Sequence, residues 1–399
     1  MQAPERFSDL PEYAFPRLRA LLDPHPPGGA PLAMSIGEPR HDPPAFLADE
    51  LSRHVALYGR YPPNEGAPEL RAAIAAWLSR RYGLGSDRAD PDRHVFPLNG
   101  TREGLFAACL ALVPERKNGA RPAVLIPNPF YQCYAVAALT AGAEPIYVPA
   151  TAETGFLPDF AALPTNLLAR TAAVYLCSPS NPQGAVATEA QWRALIGLAE
   201  THDFVVFADE CYSEIWREAP PPGALQVAAA MGADPERVLA FHSLSKRSNL
   251  PGLRSGFCAG GPASIAALRK LRAYVGAPLP LPAQLAAAAV WADEAHVDAS
   301  RTMYQEKYRL ADAVLGGWNA YVAPEAGFFL WLDVGDGEAA ALKLWRETGV
   351  RALPGAYLSR PSPDWLGGAD PGTAHLRVAL VETPDKVAVG LRAIRACLG

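Results

Sequence analysis

Between residues 68 and 260, short apolar runs alternate with amphipathic stretches. The runs are HVFPL from His94, AVLIP from Ala123, PIYVP from Pro145, AAVYLC from Ala172, FVVFA from Phe204 and VLAFH from Val238. RSGFCAG, Arg254 to Gly260, is a further candidate. Their β-branched and aromatic content, without polar alternation, predicts strands buried on both faces. The stretches between them, such as REGLFAACLAL and EAQWRALIGLAETH, space their apolar residues for helices. The alternation predicts an α/β fold: a mostly parallel sheet with helices on both faces.

Beyond Pro282 the pattern changes. An alanine-rich helical stretch runs towards Leu315, followed by strand-like GFFLWLDV from Gly327, a helix near Glu338 to Thr348, and strand-like HLRVALV from His375. We expect a large domain over residues 50–285 and a smaller, discontinuous α+β domain from 1–49 and 286–399. The 40 prolines and 33 glycines form no long low-complexity tract, so they read as turn punctuation and not disorder.

Composition narrows the function classes. Half of the 399 residues are hydrophobic and 19% are charged, enough for a large core in a soluble protein. A net charge of -5 argues against nucleic acid as the partner. No apolar run reaches the roughly 20 residues that span a bilayer. The start, MQAPERFSDL, lacks the basic and apolar segments of a secretory signal, so the cytoplasm is the expected compartment. Six cysteines without a C-x-x-C pair read as free thiols, and scattered histidines without H-E-x-x-H give no expected metal site.

The strand ends carry the chemistry. HVFPL leads into Asn99-Gly100-Thr101-Arg102, and AVLIP into Asn128-Pro129-Phe130-Tyr131. AAVYLC leads into Ser178-Pro179-Ser180-Asn181-Pro182, FVVFA into Asp209-Glu210-Cys211-Tyr212, and VLAFH into Ser243-Leu244-Ser245-Lys246. Open α/β sheets bind ligands at the carboxyl ends of their strands. One sheet edge is therefore expected to be one site.

Each residue has a functional and a bland reading. Lys246, near Arg254, is placed for a lowered pKa and covalent work on carbonyls, or is a solvated lysine. Asp209 after an apolar run needs a cationic or hydrogen-bonding partner, or caps a helix. Gly100, Thr101 and Arg102 join a strand to a helix whose N-terminus favours phosphate, and Arg254, Ser243 and Ser245 would add donors. Tyr131 is a stacking aromatic or a core residue. Asn181 and Tyr212 are ring-oxygen donors; alone, Asn181 is a turn residue. Arg377, flanked by apolar residues, needs an anion: a ligand carboxylate or an internal Asp or Glu. Gly37 would let backbone approach that carboxylate. Ser243-Leu-Ser-Lys246 is formally the S-x-x-K of serine acyl-enzymes, but the S-D-N and K-T-G that accompany it are absent.

From Gly37 to Arg377 the sequence resembles the class I/II aminotransferases of fold type I, which use pyridoxal 5′-phosphate. The resemblance rests on Ser243-Leu-Ser245-Lys246 with Arg254 eight residues on, Asn181-Pro182-Gln183-Gly184, Asp209 with Tyr212, Tyr131, Gly100-Thr101-Arg102, and Arg377. It implies a mostly parallel large domain plus a smaller α+β domain. It implies that Lys246 carries the cofactor covalently and Arg254 binds its phosphate with Gly100, Thr101 and Arg102. Asp209 pairs with its ring nitrogen, Tyr212 and Asn181 meet its ring oxygen, Tyr131 stacks on it, and Arg377 and Asn181 bind the substrate. Tyr61, in YPPNEGAPELRAAIA, is similar to a tyrosine that reaches the neighbouring subunit's phosphate, which implies a homodimer.

A narrower likeness lies in GEPRHDPP, NGTREGLF, DECYSEIW, SLSKRSNLPGLRSGF and WADEAHV, which resemble succinyldiaminopimelate aminotransferases of lysine biosynthesis. It implies amino transfer between glutamate and N-succinyl-2-amino-6-oxopimelate, with Arg40 and Arg247 as candidates for reading the distal groups. The alternatives are aspartate, aromatic or small amino acids as substrates, or β-lyase chemistry on the same scaffold.

Overall fold

The computed structural model describes residues 4–8 and 10–399. Residues 1–3 and 9, part of the stretch read for a secretory signal and of the expected 1–49 segment, lie outside the described residues. Seven strands form one sheet in the order Val95–Leu98, Gly256–Gly260, Val238–Ser243, Val205–Asp209, Thr171–Cys177, Ala123–Asn128 and Glu144–Pro149. The runs are nearly continuous in apolar residues because both faces are covered: the three strands from 123, 171 and 238 are buried at every position.

All pairings are parallel except those of Gly256–Gly260, which is antiparallel to both neighbours. A parallel return needs a crossover of a dozen or more residues, usually a full helix. The link after Ser243 holds only the short helix Leu244–Arg247 and the 3₁₀ turn Pro251–Leu253. The chain therefore comes straight back, and Lys246 and Arg254 stay at the same sheet edge. The register sets Cys177 beside Asp209 and Asp209 beside Phe241, so the carboxyl ends are level.

A second, antiparallel sheet has the order Leu353–Pro354, His375–Ala379, Phe329–Asp333. Leu32–Ala33 pairs in parallel with Val350–Arg351, and helix Ala14–Leu22 packs Leu18 and Leu22 on Trp345, Leu353 and Tyr357. The N-terminal segment thus packs with the C-terminal part of the chain.

The alanine-rich stretch is two helices, Leu281–Ala292 and Ala295–Leu315. They break where the Asp293 carboxylate accepts from the His296 backbone N–H at 3.1 Å. The first packs Val290 and Trp291 with Trp77 and Phe257, on the large sheet. The second packs Tyr304, Tyr308 and Leu315 with Phe329 and Leu376, on the small one. Packing partners therefore change at Asp293. No helix among the described residues is long and apolar enough to cross a membrane.

Candidate active site

A cavity of about 420 Å³ opens at the carboxyl edge of the large sheet, closed from the other side by Ile36–Glu38, Phe329, Leu358 and Arg377. All the sequence-predicted site residues line it except Gly100, Tyr61, Arg40 and Arg247.

Asp209 ends its strand with the carboxylate buried. Tyr134 donates to Oδ2 at 2.6 Å and the Cys211 N–H to Oδ1 at 3.3 Å. Burial raises its pKa above the usual carboxylate range. No Lys, Arg or His forms an ion pair with it among the described residues, so this buried carboxylate has only neutral donors. Tyr134 was missed in the sequence. Its helical spacing from Tyr131 was legible, but its partner lies 75 positions away.

Gly100 caps helix Thr101–Leu112 at φ +80°, and a Cβ there would collide with the Arg254 guanidinium. Only glycine combines that backbone with that close approach. Arg254 donates to the Pro251 and Asn99 carbonyls, at 2.7 and 3.4 Å, and has no carboxylate in ion-pair range among the described residues. Ser243 donates to Ser245 Oγ at 2.9 Å, and Thr101 lies 3.2 Å from the Cys211 sulfur. Hydroxyls, a free guanidinium and a helix N-terminus together make an anion cradle.

Lys246 is half-buried, donating from Nζ to the Gly37 carbonyl and lying 5.3 Å from the Phe328 ring centre. Burial pulls its pKa down to about 8, and the Arg377 cation adds to the pull. The glycine at 37 has a packing reason as well: a Cβ would strike the Phe329 ring.

Arg377 is buried. It donates to Asn181 Oδ1 at 3.0 Å and the Ser35 carbonyl at 2.8 Å, with its guanidinium 4.2 Å from the Phe329 ring centre. Its Nε has no partner, and no Asp or Glu pairs with it among the described residues. Burial lowers its pKa to about 10. The internal ion pair that the sequence left open is therefore absent, and an anion is wanted at this point. Because arginine only donates, Asn181 must turn its oxygen to Arg377 and its NH2 the other way.

Tyr131 accepts from Arg102 Nε at 2.5 Å, and burial pushes its hydroxyl up to about 12. Tyr212 is buried against Phe328 and Phe329, with ring centres at 5.3 and 6.0 Å. Arg247 does not reach the cavity. It is buried, bonded to the Val290 carbonyl at 3.1 Å and to Glu294 at 2.7 Å, over the Trp291 ring. Arg40 also lies outside the lining, 3.9 and 4.0 Å from Glu38 and Glu382. Tyr61 is wholly exposed in the single chain.

A weakly basic lysine between two anion-binding ends of one cavity is the equipment of a group-transfer enzyme with a phosphorylated cofactor. The chain matches the model of the aminotransferase class I and II family over residues 31–394, and it belongs to that family. It is 31% identical, over 99% of its length and 97% of the relative's, to LL-diaminopimelate aminotransferase of Desulforudis audaxviator. It is 34% identical to the 4-dedimethylamino-4-oxo-anhydrotetracycline transaminase OxyQ of Streptomyces rimosus, over 95% of this chain and 98% of that one. Among solved structures it superimposes on an aminotransferase of Neisseria meningitidis with a TM-score of 0.91 at 35% identity, covering 99% of this chain and 100% of that one. The family uses pyridoxal 5′-phosphate, and the cavity fits that group: among the described residues no carboxylate pairs with the Arg254 guanidinium and no cation forms an ion pair with buried Asp209.

Proposed function

We propose that this aminotransferase moves an amino group between glutamate and N-succinyl-2-amino-6-oxopimelate, forming N-succinyl-LL-2,6-diaminopimelate and 2-oxoglutarate. The observation that carries a carboxylate substrate is Arg377, a buried guanidinium on the cavity whose Nε is unpartnered and which has no carboxylate partner among the described residues, while the Arg102 and Arg254 guanidiniums are left to the phosphate.

When bound, the cofactor supplies an electron sink for the charge left on the substrate Cα. Lys246 Nζ would hold the cofactor and would move the proton at the substrate Cα, taking it up and giving it back. A pKa near 8 leaves this amine basic enough to accept a proton and acidic enough to release it. Asp209 presents its charge to the ring nitrogen. Gly100, Thr101, Arg102, Ser243, Ser245 and Arg254 hold the phosphate. Tyr131 would pack on the ring, and Tyr212 and Asn181 would bond its oxygen. Arg377 would fix the α-carboxylate in the cavity that Lys246 and Gly37 also line.

The names of relatives favour a second reading, in which the unsuccinylated LL-diaminopimelate is the amine. The test is one assay: cofactor-loaded enzyme with 2-oxoglutarate and either N-succinyl-LL-diaminopimelate or LL-diaminopimelate, reading glutamate formed. Glutamate from the succinylated amine supports the first reading. Glutamate only from the free amine replaces it with the second, and glutamate from neither removes both. The assembly we propose is a homodimer in which Tyr61 crosses to the partner's phosphate cradle. Light scattering on the loaded enzyme reads this, and a monomer would remove it.

A further inference from the structure

Directly after Asp209 in the chain, Glu210 turns away from the cavity and is 2% exposed. Its Oε2 accepts from Tyr82, at the end of helix Pro68–Tyr82, at 2.8 Å. Its Oε1 accepts from the Ala224 N–H, at the start of helix Ala224–Met231, at 2.7 Å. His242 Nε2, which has no hydrogen-bond partner among the described residues, lies 3.4 Å from Oε2. The Glu210 N–H itself bonds the Phe241 carbonyl at 3.0 Å.

One buried carboxylate thus joins four segments just behind the site. Two are the strand ends that carry Asp209 and Ser243–Lys246. A pure packing position would be filled more cheaply by an apolar residue, since a buried carboxylate bears a desolvation cost that three neutral contacts only partly offset.

We propose that Glu210 is a positioning residue, which sets the Asp209 strand end against the Lys246 strand end and adds its negative charge behind Asp209. This rests on the role given above to Asp209. The surroundings allow that charge to change. The cation nearest in sequence to its partners, Arg81, is taken by Glu214 at 2.8 Å. The helix of Tyr82 offers Arg81 and Tyr82, the strand of His242 offers a ring that burial holds neutral, with its pKa down at about 3, and Asp209 and Glu214 flank it in the chain. Arg247 lies beyond His242 and is engaged by Glu294. Burial raises Glu210 to about 7, so its charge is gained as pH rises through neutrality.

The experiment is a pH titration of the cofactor's absorption in the loaded enzyme, without substrate, for wild type, Glu210→Gln, Tyr82→Phe and Asp209→Asn. Loss of a negative charge behind Asp209 lowers the proton affinity of the groups in front of it, and at this separation the midpoint is expected to fall by about half a pH unit in Glu210→Gln. Tyr82→Phe, which removes one donor from the charged form, is expected to move it the same way by less. kcat should fall about tenfold in Glu210→Gln, with KM for glutamate within about twofold, the mark of a perturbed chemical step. A midpoint unmoved in both variants overturns the proposal, even where the melting temperature drops, because a merely structural role moves only the latter. If Glu210→Gln does not fold, Tyr82→Phe decides alone. An unchanged spectrum in Asp209→Asn removes the role of Asp209 first, which separates that failure from this one.

Discussion

On the cavity side of the sheet's carboxyl edge, Lys246, Arg254, Arg102 and Arg377 have carbonyls, an amide or a phenol as partners, and no carboxylate in ion-pair range among the described residues. Away from the cavity, three largely buried arginines have carboxylate partners. Glu214 holds Arg81 at 2.8 Å and Arg301 at 3.2 Å, with the three side chains 5%, 15% and 14% exposed. Arg247, next in the chain to Lys246, holds Glu294 at 2.7 Å. Burial without pairing is costly, so a folded chain satisfies a charge wherever it has a partner to offer. That four cations stay open on one wall and none of these three on the other marks the wall that waits for anions.

The largest effect expected on this contrast is at Lys246. Lys246→Ala should lose at least about 10³-fold in the amino-transfer half-reaction with glutamate, read by single-turnover absorbance, with the cofactor still bound by the cradle. Loss of less than tenfold would give the proton transfer to another group.

Next are two substitutions that should behave as opposites. Arg377→Gln removes a cation whose partner is the substrate, so kcat/KM should fall by about 2–5 kcal/mol in transition-state terms while the melting temperature does not fall. Glu214→Gln removes a carboxylate whose partners are in the fold, so stability should drop by about 3 kcal/mol in denaturant unfolding with kcat/KM little changed. If Arg377→Gln destabilises and Glu214→Gln does not, the contrast between the two walls is wrong.

How much of this was legible before the fold was known depended on distance along the chain. The strands showed themselves because burial on both faces leaves runs such as AAVYLC and VLAFH with no polar alternation. Their polar ends then gave nearly half of the cavity lining by adjacency alone. What failed was orientation. Lys246 and Arg247 sit in a four-residue helix, Leu244–Arg247, too short for a periodic pattern to say which faces the cavity. Neighbouring helical residues point about 100° apart, so one reached the site and the other the Trp291 face. The break at Asp293 was hidden because both flanking segments carry apolar residues at helical spacing, and what marks it is one local hydrogen bond, from the His296 N–H to the Asp293 carboxylate. Glu210 was read only as part of a strand end, since its partners Tyr82 and Ala224 lie 128 and 14 positions away.

The smallest expected effect concerns a third kind of buried charge, one given neutral partners and no anion, on neither wall. Lys307 is fully buried, with Nζ 2.6 Å from His41 Nε2 and 3.0 Å from the Leu380 carbonyl. Burial lowers its pKa to about 7, and the same burial with the Lys307 charge takes His41 down to about 4, so His41 is the acceptor. An unfolded lysine titrates near 10.4, so between about pH 7 and pH 10 the unfolded chain binds the proton more tightly than the folded one. Stability from this group therefore rises with pH across that window and is lowest below pH 7. Lys307→Met should remove that slope: relative to wild type, the variant's melting temperature should be higher at pH 6 than at pH 9. The difference between the two proteins isolates Lys307 from every other titrating group. A parallel pair of curves would mean that Lys307 keeps its proton in the fold throughout, held by the Glu382 and Glu306 charges that oppose the burial. It would then count as a paired cation, on the side of Arg81 and Arg301.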